Sequence, residues 1–152
     1  MFGFFYNPNI HPYQEFRRRM ETVQQFAEKV GLEVIYRDEY DVVSFLREMV
    51  FRESQRCQIC YNLRLDVAAR LAKKSRMDGF TSTLLYSKKQ DHELICQLGM
   101  EIGRRRGIPF IYRDFRQGWK EGIQNSKEMK LYRQEYCGCI YSEQERFLGV
   151  RR

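Results

Sequence analysis

Residues 2–36 read FGFFYNPNIHPYQEFRRRMETVQQFAEKVGLEVIY, and this stretch decides the fold. Phe2 to Tyr6 is short, aromatic and apolar, as a buried strand requires. Asn7-Pro8-Asn9-Ile10-His11-Pro12 stops it with turn chemistry. Tyr13, Phe16, Met20, Val23, Phe26, Ala27 and Val30 then recur at helical spacing, and Gly31 is a natural stop. Leu32 to Tyr36 is the next strand. A strand, a helix and a strand in so few residues predict parallel pairing, because the helix carries the chain back across the sheet.

The alternation continues outward from that unit. Asp41 caps a short helix through about Phe51, with Val42, Phe45, Leu46 and Met49 inward. A polar link over 52–56 leads to a helix from Tyr61 to Lys74 carrying Leu63, Val67, Ala68, Leu71 and Ala72. Gly79 to Tyr86 reads as a strand. Asp91 starts a helix with Leu94, Ile95, Leu98 and Ile102, closed by Gly107. Pro109 to Tyr112 is the last strand, and a closing helix has Ser142 and Glu145 as a capping box. The expectation is one α/β domain over residues 1–152, with a mostly parallel sheet.

Composition narrows the function. The chain of 152 residues is 43% hydrophobic and 31% charged, which fits a globular domain rather than a disordered one. No apolar run reaches the roughly 20 residues that cross a bilayer, and MFGFFYNPN lacks the basic start of a signal peptide. The expected location is the cytoplasm, with no membrane partner. A net charge of +7 favours a polyanionic partner. Arg17-Arg18-Arg19 and Arg104-Arg105-Arg106 each fit a solvated helix face as well. Arg113, Arg116, Lys120, Lys127, Lys130 and Arg133 are interleaved with Phe115, Trp119, Tyr132 and Tyr136, a mixture suited to stacking on unpaired bases.

Four of five cysteines form two tight pairs, Cys57-Gln58-Ile59-Cys60 and Cys137-Gly138-Cys139. Such pairs share a metal, ligate an iron–sulfur cluster or form a short disulfide, and in a reducing compartment metal or redox chemistry leads. A helix amino end at Cys57 and Cys60 favours the thiolate, the ligand form. A Cys-x-Cys disulfide ring is small and strained, which suits a pair that cycles, and Gly138 eases its turn. One zinc held by all four thiols is the competing arrangement. Cys96 reads as core filling. His11, in the loop after the first strand, and His92, at a helix start, are polar loop residues or proton donors near neutral pH.

FYNPNIHPYQEF, CQICYNLRL, FTSTLLYSKKQDHELI, IPFIYRDFRQGWKEGI and LYRQEYCGCIYSEQER together resemble the epoxyqueuosine reductases of the QueH type. The resemblance implies a Rossmann-like (HUP-like) three-layer domain and an iron–sulfur oxidoreductase. Its reaction removes the epoxide oxygen of epoxyqueuosine at the wobble position of transfer RNA, giving queuosine, with electrons from an external donor. It implies that Cys57 and Cys60 ligate a [4Fe-4S] cluster and that Cys137 and Cys139 cycle between dithiol and disulfide. His11, His92 and Asp114 are the residues expected to protonate the departing oxygen. Family members begin with a further strand and helix bearing a Cys-Cys pair that completes the cluster; this chain starts after it. The expectation is therefore a shortened or misassigned start, or an inactive member, with two cluster ligands of four. Outside the family, the alternatives are a non-catalytic four-cysteine zinc module that binds RNA and a metal-free thiol–disulfide protein.

Overall fold

A computed structural model describes residues 1–149. In order they form β1 (Gly3–Phe5), α1 (Tyr13–Val30), β2 (Val34–Tyr36), α2 (Val42–Met49), α3 (Arg56–Lys74), α4 (His92–Arg106), α5 (Trp119–Glu128) and α6 (Ile140–Leu148). Short 3-10 turns cover Glu53–Gln55, Thr83–Tyr86 and Phe115–Gly118. The mixture is α/β with parallel pairing, as read from the sequence. None of the described helices is long and apolar enough to cross a membrane.

The chain divides into two compact units, Met1–Ser54 with the chain from Ser126 on, and Gln55–Asn125. In the first, β1 and β2 pair in parallel with Gly3 opposite Val34 and Phe5 opposite Tyr36. Phe5, Ile10, Phe16 and Met20 form its core, with Val23, Val34, Tyr36 and Tyr40 against them. Gly31 closes α1 in the left-handed conformation at φ 67°, which glycine adopts without the Cβ penalty. Asp41 caps α2 by accepting from the Ser44 amide at 2.9 Å.

The second unit is built on α3 packed against α4. Its core holds Tyr61, Leu65, Ala69, Ala72, Phe80, Leu85, Ile95, Ile102, Ile108 and Phe110. Asp91 caps α4 through the Leu94 amide at 3.0 Å, and Gly107 ends it at φ 66°. Gly99 lies so close to Phe110 that a Cβ there would stand 2.5 Å from the ring.

Several expectations need correction. The stretch Gly79 to Tyr86 is not a strand. It makes a single parallel bridge, Phe80 with Phe110, and then winds into a 3-10 turn. Ser82 starts that turn by accepting from the Leu84 amide at 3.2 Å, and it buries Leu84 and Leu85. Core packing of two adjacent leucines defeats strand alternation there. Pro109 to Tyr112 is likewise reduced to that bridge, so the described sheet has two strands. Helix α3 starts at Arg56 rather than Tyr61, and its buried stripe is Tyr61, Leu65, Ala69 and Ala72. Cys96 is half-buried beside the core residue Ile95. Ser142 is not the cap of α6: Cys139 holds that position and Ser142 is the third helical residue.

Candidate functional site

Cys137-Gly138-Cys139 lies between Tyr136 and the amino end of α6, within the first unit. Three consecutive carbonyls here are held by donors from the start of the chain. Arg19 Nη2 donates to the Tyr136 carbonyl and Nη1 to the Cys137 carbonyl, both at 3.0 Å. Asn9 Nδ2 adds a longer bond to the Cys137 carbonyl at 3.4 Å. The His11 amide donates to the Gly138 carbonyl at 2.8 Å, and the Tyr136 hydroxyl donates to the His11 carbonyl. Gly138 has φ 113°, and a Cβ there would lie 2.8 Å from Ile10 Cγ1 and 3.0 Å from Arg19 Nη1. Only glycine fits without displacing its neighbours.

Arg19 is itself buried, its side chain 8% exposed. Its Nε donates to Glu15 Oε1 at 2.7 Å, one helical turn earlier, and its guanidinium lies 5.1 Å from the Tyr136 ring centre. The Tyr132 hydroxyl donates to both Glu15 oxygens, at 3.0 and 2.9 Å. Burial, with Glu15 nearby, pushes the Tyr136 phenol up to about 12. Both tyrosines therefore serve as neutral donors at physiological pH. Cys139 is buried and Cys137 is half-buried; Ser142 Oγ accepts weakly from the Cys137 amide at 3.5 Å.

His11 is not a solvated loop residue. It is 2% exposed, packed on Phe45 and Tyr40, with Nδ1 3.0 Å from the Tyr40 hydroxyl. Its Nε2 and the Oδ1 of Asn9 are buried without a hydrogen-bond partner. Burial lowers the imidazole pKa below its ordinary value, against a weaker pull from the Pro8 carbonyl, so His11 is neutral at pH 7.

Cys57 and Cys60 occupy the first turns of α3, in the second unit, at i, i+3 spacing that puts both on one face. Gln55 caps that helix without a side-chain bond, and the positive end of the helix dipole lies at this first turn. Two sulfurs at this spacing are of the type that could hold a metal ion or an iron–sulfur cluster. No group of three or more His, Cys, Asp or Glu side chains able to hold a metal occurs among the described residues.

His92 opens α4. Its Nε2 is 2.9 Å from the Leu85 carbonyl and 3.7 Å from Asp114 Oδ1. The Arg116 guanidinium binds Asp114 through two bonds of 2.8 and 2.7 Å and holds its carboxyl far below the usual carboxylate range. Asp114 is thus an anion at neutral pH, and its expected role as a proton donor gives way to that of a partner for His92.

The arginine runs are less free than the sequence implies. Arg17 pairs with Glu21, Arg18 lies 4.2 Å over the Tyr132 ring, and Arg19 is inside. Arg105 and Arg106 converge on Asp66, which also pairs with Arg70. Tyr132 and Tyr136 are engaged by Glu15 and His11 rather than offered to bases. Sequence reasoning missed Arg19. The signal was present: it stands three residues after Phe16, inside an otherwise apolar stripe.

A family model described as epoxyqueuosine reductase QueH matches residues 1–145. Epoxyqueuosine reductase QueH of Dehalococcoides mccartyi is 33% identical over 144 residues, spanning 95% of this chain and 79% of its own. Its counterpart in Thermotoga maritima is 36% identical, spanning 94% of this chain and 79% of its own. The Helicobacter pylori protein of the same name is 36% identical over 92% of this chain, which matches 41% of that longer protein. With nearly its whole described length matched, this chain belongs to the QueH family of epoxyqueuosine reductases.

Proposed function

We propose that this chain is an oxidoreductase that converts epoxyqueuosine in transfer RNA to queuosine, with Cys137 and Cys139 supplying the electrons. The observation that carries the role of this pair is its mounting, since the three carbonyls from Tyr136 to Gly138 are each fixed by a donor from Asn9, His11 or Arg19. A cysteine pair that only filled space would need no such frame.

The electron count closes. Two thiols becoming a disulfide release two electrons and two protons; the epoxide takes up both, losing its oxygen as water and leaving a carbon–carbon double bond. An external donor then returns the disulfide to the dithiol. His11, neutral and tied to the cysteine turn through its amide bond to the Gly138 carbonyl, is the first candidate for proton transfer. His92, steadied by the Asp114 anion, is the second proton-transfer group. Cys57 and Cys60 would hold a [4Fe-4S] cluster in part, and the chemistry it would supply when bound is one-electron transfer. The remaining Lys and Arg side chains hold the transfer RNA through its phosphates, in the cytoplasm where the substrate occurs.

The test is anaerobic incubation with transfer RNA carrying epoxyqueuosine, followed by mass spectrometry of released nucleosides. In protein reconstituted with iron and sulfide, Cys137→Ser and Cys139→Ser are expected to take up as much of both as the parent and to lose conversion; Cys57→Ser is expected to take up less iron. Iron lost from Cys139→Ser but kept in Cys57→Ser would reverse the assignment. Zinc in place of iron, with no conversion, would instead select a structural RNA-binding module.

A further inference from the structure

We propose that Arg19 is a positioning residue that sets the redox balance of the Cys137–Cys139 pair by holding the turn in its dithiol conformation. The inference rests on the reading of these cysteines as the redox pair and goes beyond it by naming what tunes them.

All five cysteines are reduced in the structure, and in that state the Arg19 fork is complete. A disulfide needs Cβ atoms about 3.5–4.5 Å apart and a torsion near a right angle, which residues two apart reach only by bending the backbone between them. That bend must pass through Gly138 and its flanking peptides. Those are the peptides whose carbonyls are held: Tyr136 and Cys137 by Arg19, Gly138 by the His11 amide.

The holding group cannot easily follow the turn. Arg19 is buried, anchored by Glu15 at 2.7 Å, and the Tyr132 hydroxyl fixes Glu15 in turn. A group shifts an equilibrium only by its differential interaction with the two states. A rigid two-pronged donor fitted to the dithiol turn binds that turn better than a rearranged one. The fork therefore favours the dithiol and makes the disulfide easier to reduce. Asn9, donating to the same Cys137 carbonyl, acts in the same direction with a longer bond.

The experiment equilibrates the whole protein in glutathione buffers, where the dithiol and oxidised glutathione exchange with the disulfide and two reduced glutathiones. Trapped peptides are mapped by mass so that only the Cys137–Cys139 pair is scored. Arg19→Lys keeps the charge and loses the fork; its equilibrium constant is expected to move at least tenfold toward the disulfide, about 30 mV more negative. Asn9→Ala, the milder change should Arg19→Lys fail to fold, is expected to move it about threefold the same way. Tyr132→Phe, which loosens the Glu15 anchor but leaves both prongs of the fork in place, is expected to move it the same way by less than Arg19→Lys does. An unchanged constant in Arg19→Lys, or in Asn9→Ala where only that variant folds, would overturn the inference. So would an equal shift in Tyr132→Phe, which would reduce Arg19 to a general stabiliser. A parent protein that forms no Cys137–Cys139 disulfide in oxidising buffer would remove the redox reading itself, a failure distinct from these.

Discussion

Replacing Gly138 by alanine perturbs the turn twice over. The backbone at φ 113° is one that L-residues rarely adopt, and holding a side chain there costs about 1–3 kcal/mol. The new methyl would also stand 2.8 Å from Ile10 Cγ1, 3.0 Å from Arg19 Nη1 and 3.3 Å from Asn9 Nδ2. None of these neighbours gives way cheaply. Ile10 is 4% exposed and in the core, and Arg19 is bound at three of its nitrogens. Overpacking of that kind costs about another 1–3 kcal/mol, so the sum is about 2–6 kcal/mol. The comparator is Gly31→Ala, where φ is 67° but no atom lies within 4 Å of the new Cβ. Its penalty is the backbone term alone, about 1–2 kcal/mol. Urea unfolding of the two variants followed by circular dichroism separates backbone from crowding. If Gly138→Ala loses no more stability than Gly31→Ala, the tight seat described for the Cys-x-Cys turn does not exist.

Three further outcomes follow from charge and packing. Burial lowers the His11 pKa, so the unfolded chain binds the proton more readily; the stability His11 contributes is full above its ordinary value of 6.5 and is lost as pH falls through 6.5 toward the lowered folded value. Stability curves from pH 8 to pH 5 should show this slope in the parent and lose it in His11→Gln. Asp66 is shifted down, chiefly by its hydrogen bond from Arg106, so its contribution is full above 3.8 and disappears as pH falls below that toward the folded value. Asp66→Asn should flatten the acid limb of unfolding while lowering stability at pH 7. Transfer RNA binding should weaken by roughly 10³ between about 50 and 200 mM salt if about six phosphates are neutralised. A flat response, measured by filter binding, would contradict a phosphate-led interface.

What the sequence made legible was local. The ends of α1 and α4 could be read because Gly31, Asp91 and Gly107 act within one turn of where they stand, and so does Asp41 at α2. The start of α3 was legible only through the cysteines placed at a helix amino end, since Glu53 to Arg56 is polar and the buried stripe begins at Tyr61. Strand character over Gly79–Tyr86 was overridden from outside, by a core that takes both Leu84 and Leu85. The cysteine pairs stood out as chemistry because close spacing of thiols has no packing motive. Their surroundings did not, because the bonds from Arg19 to Tyr136 and Cys137 join residues 117 and 118 positions apart.

That separation governs how the cysteine turn is specified. The first unit is discontinuous: the segment carrying Cys137 and Cys139 belongs with residues 1–54, not with the helices that immediately precede it. Its carbonyls are satisfied by the loop after β1 and by the second turn of α1, and the Cys137 amide reaches no further than Ser142 of α6. The conformation of the cysteine turn is therefore held by donors from the β1–α1 segment. A substitution in α1, well removed from the cysteines in sequence, acts on their chemistry through Arg19, whereas an exposed change nearby, such as at Arg133 or Glu135, leaves those donors in place. Arg19 lies in a run of three arginines that would otherwise be credited to RNA. Its two neighbours do face outward, one on Glu21 and one over Tyr132. Only the helical phase separates them, with Arg19 turned to the Phe16 and Met20 side, and that phase makes it a support for the cysteines rather than a phosphate ligand.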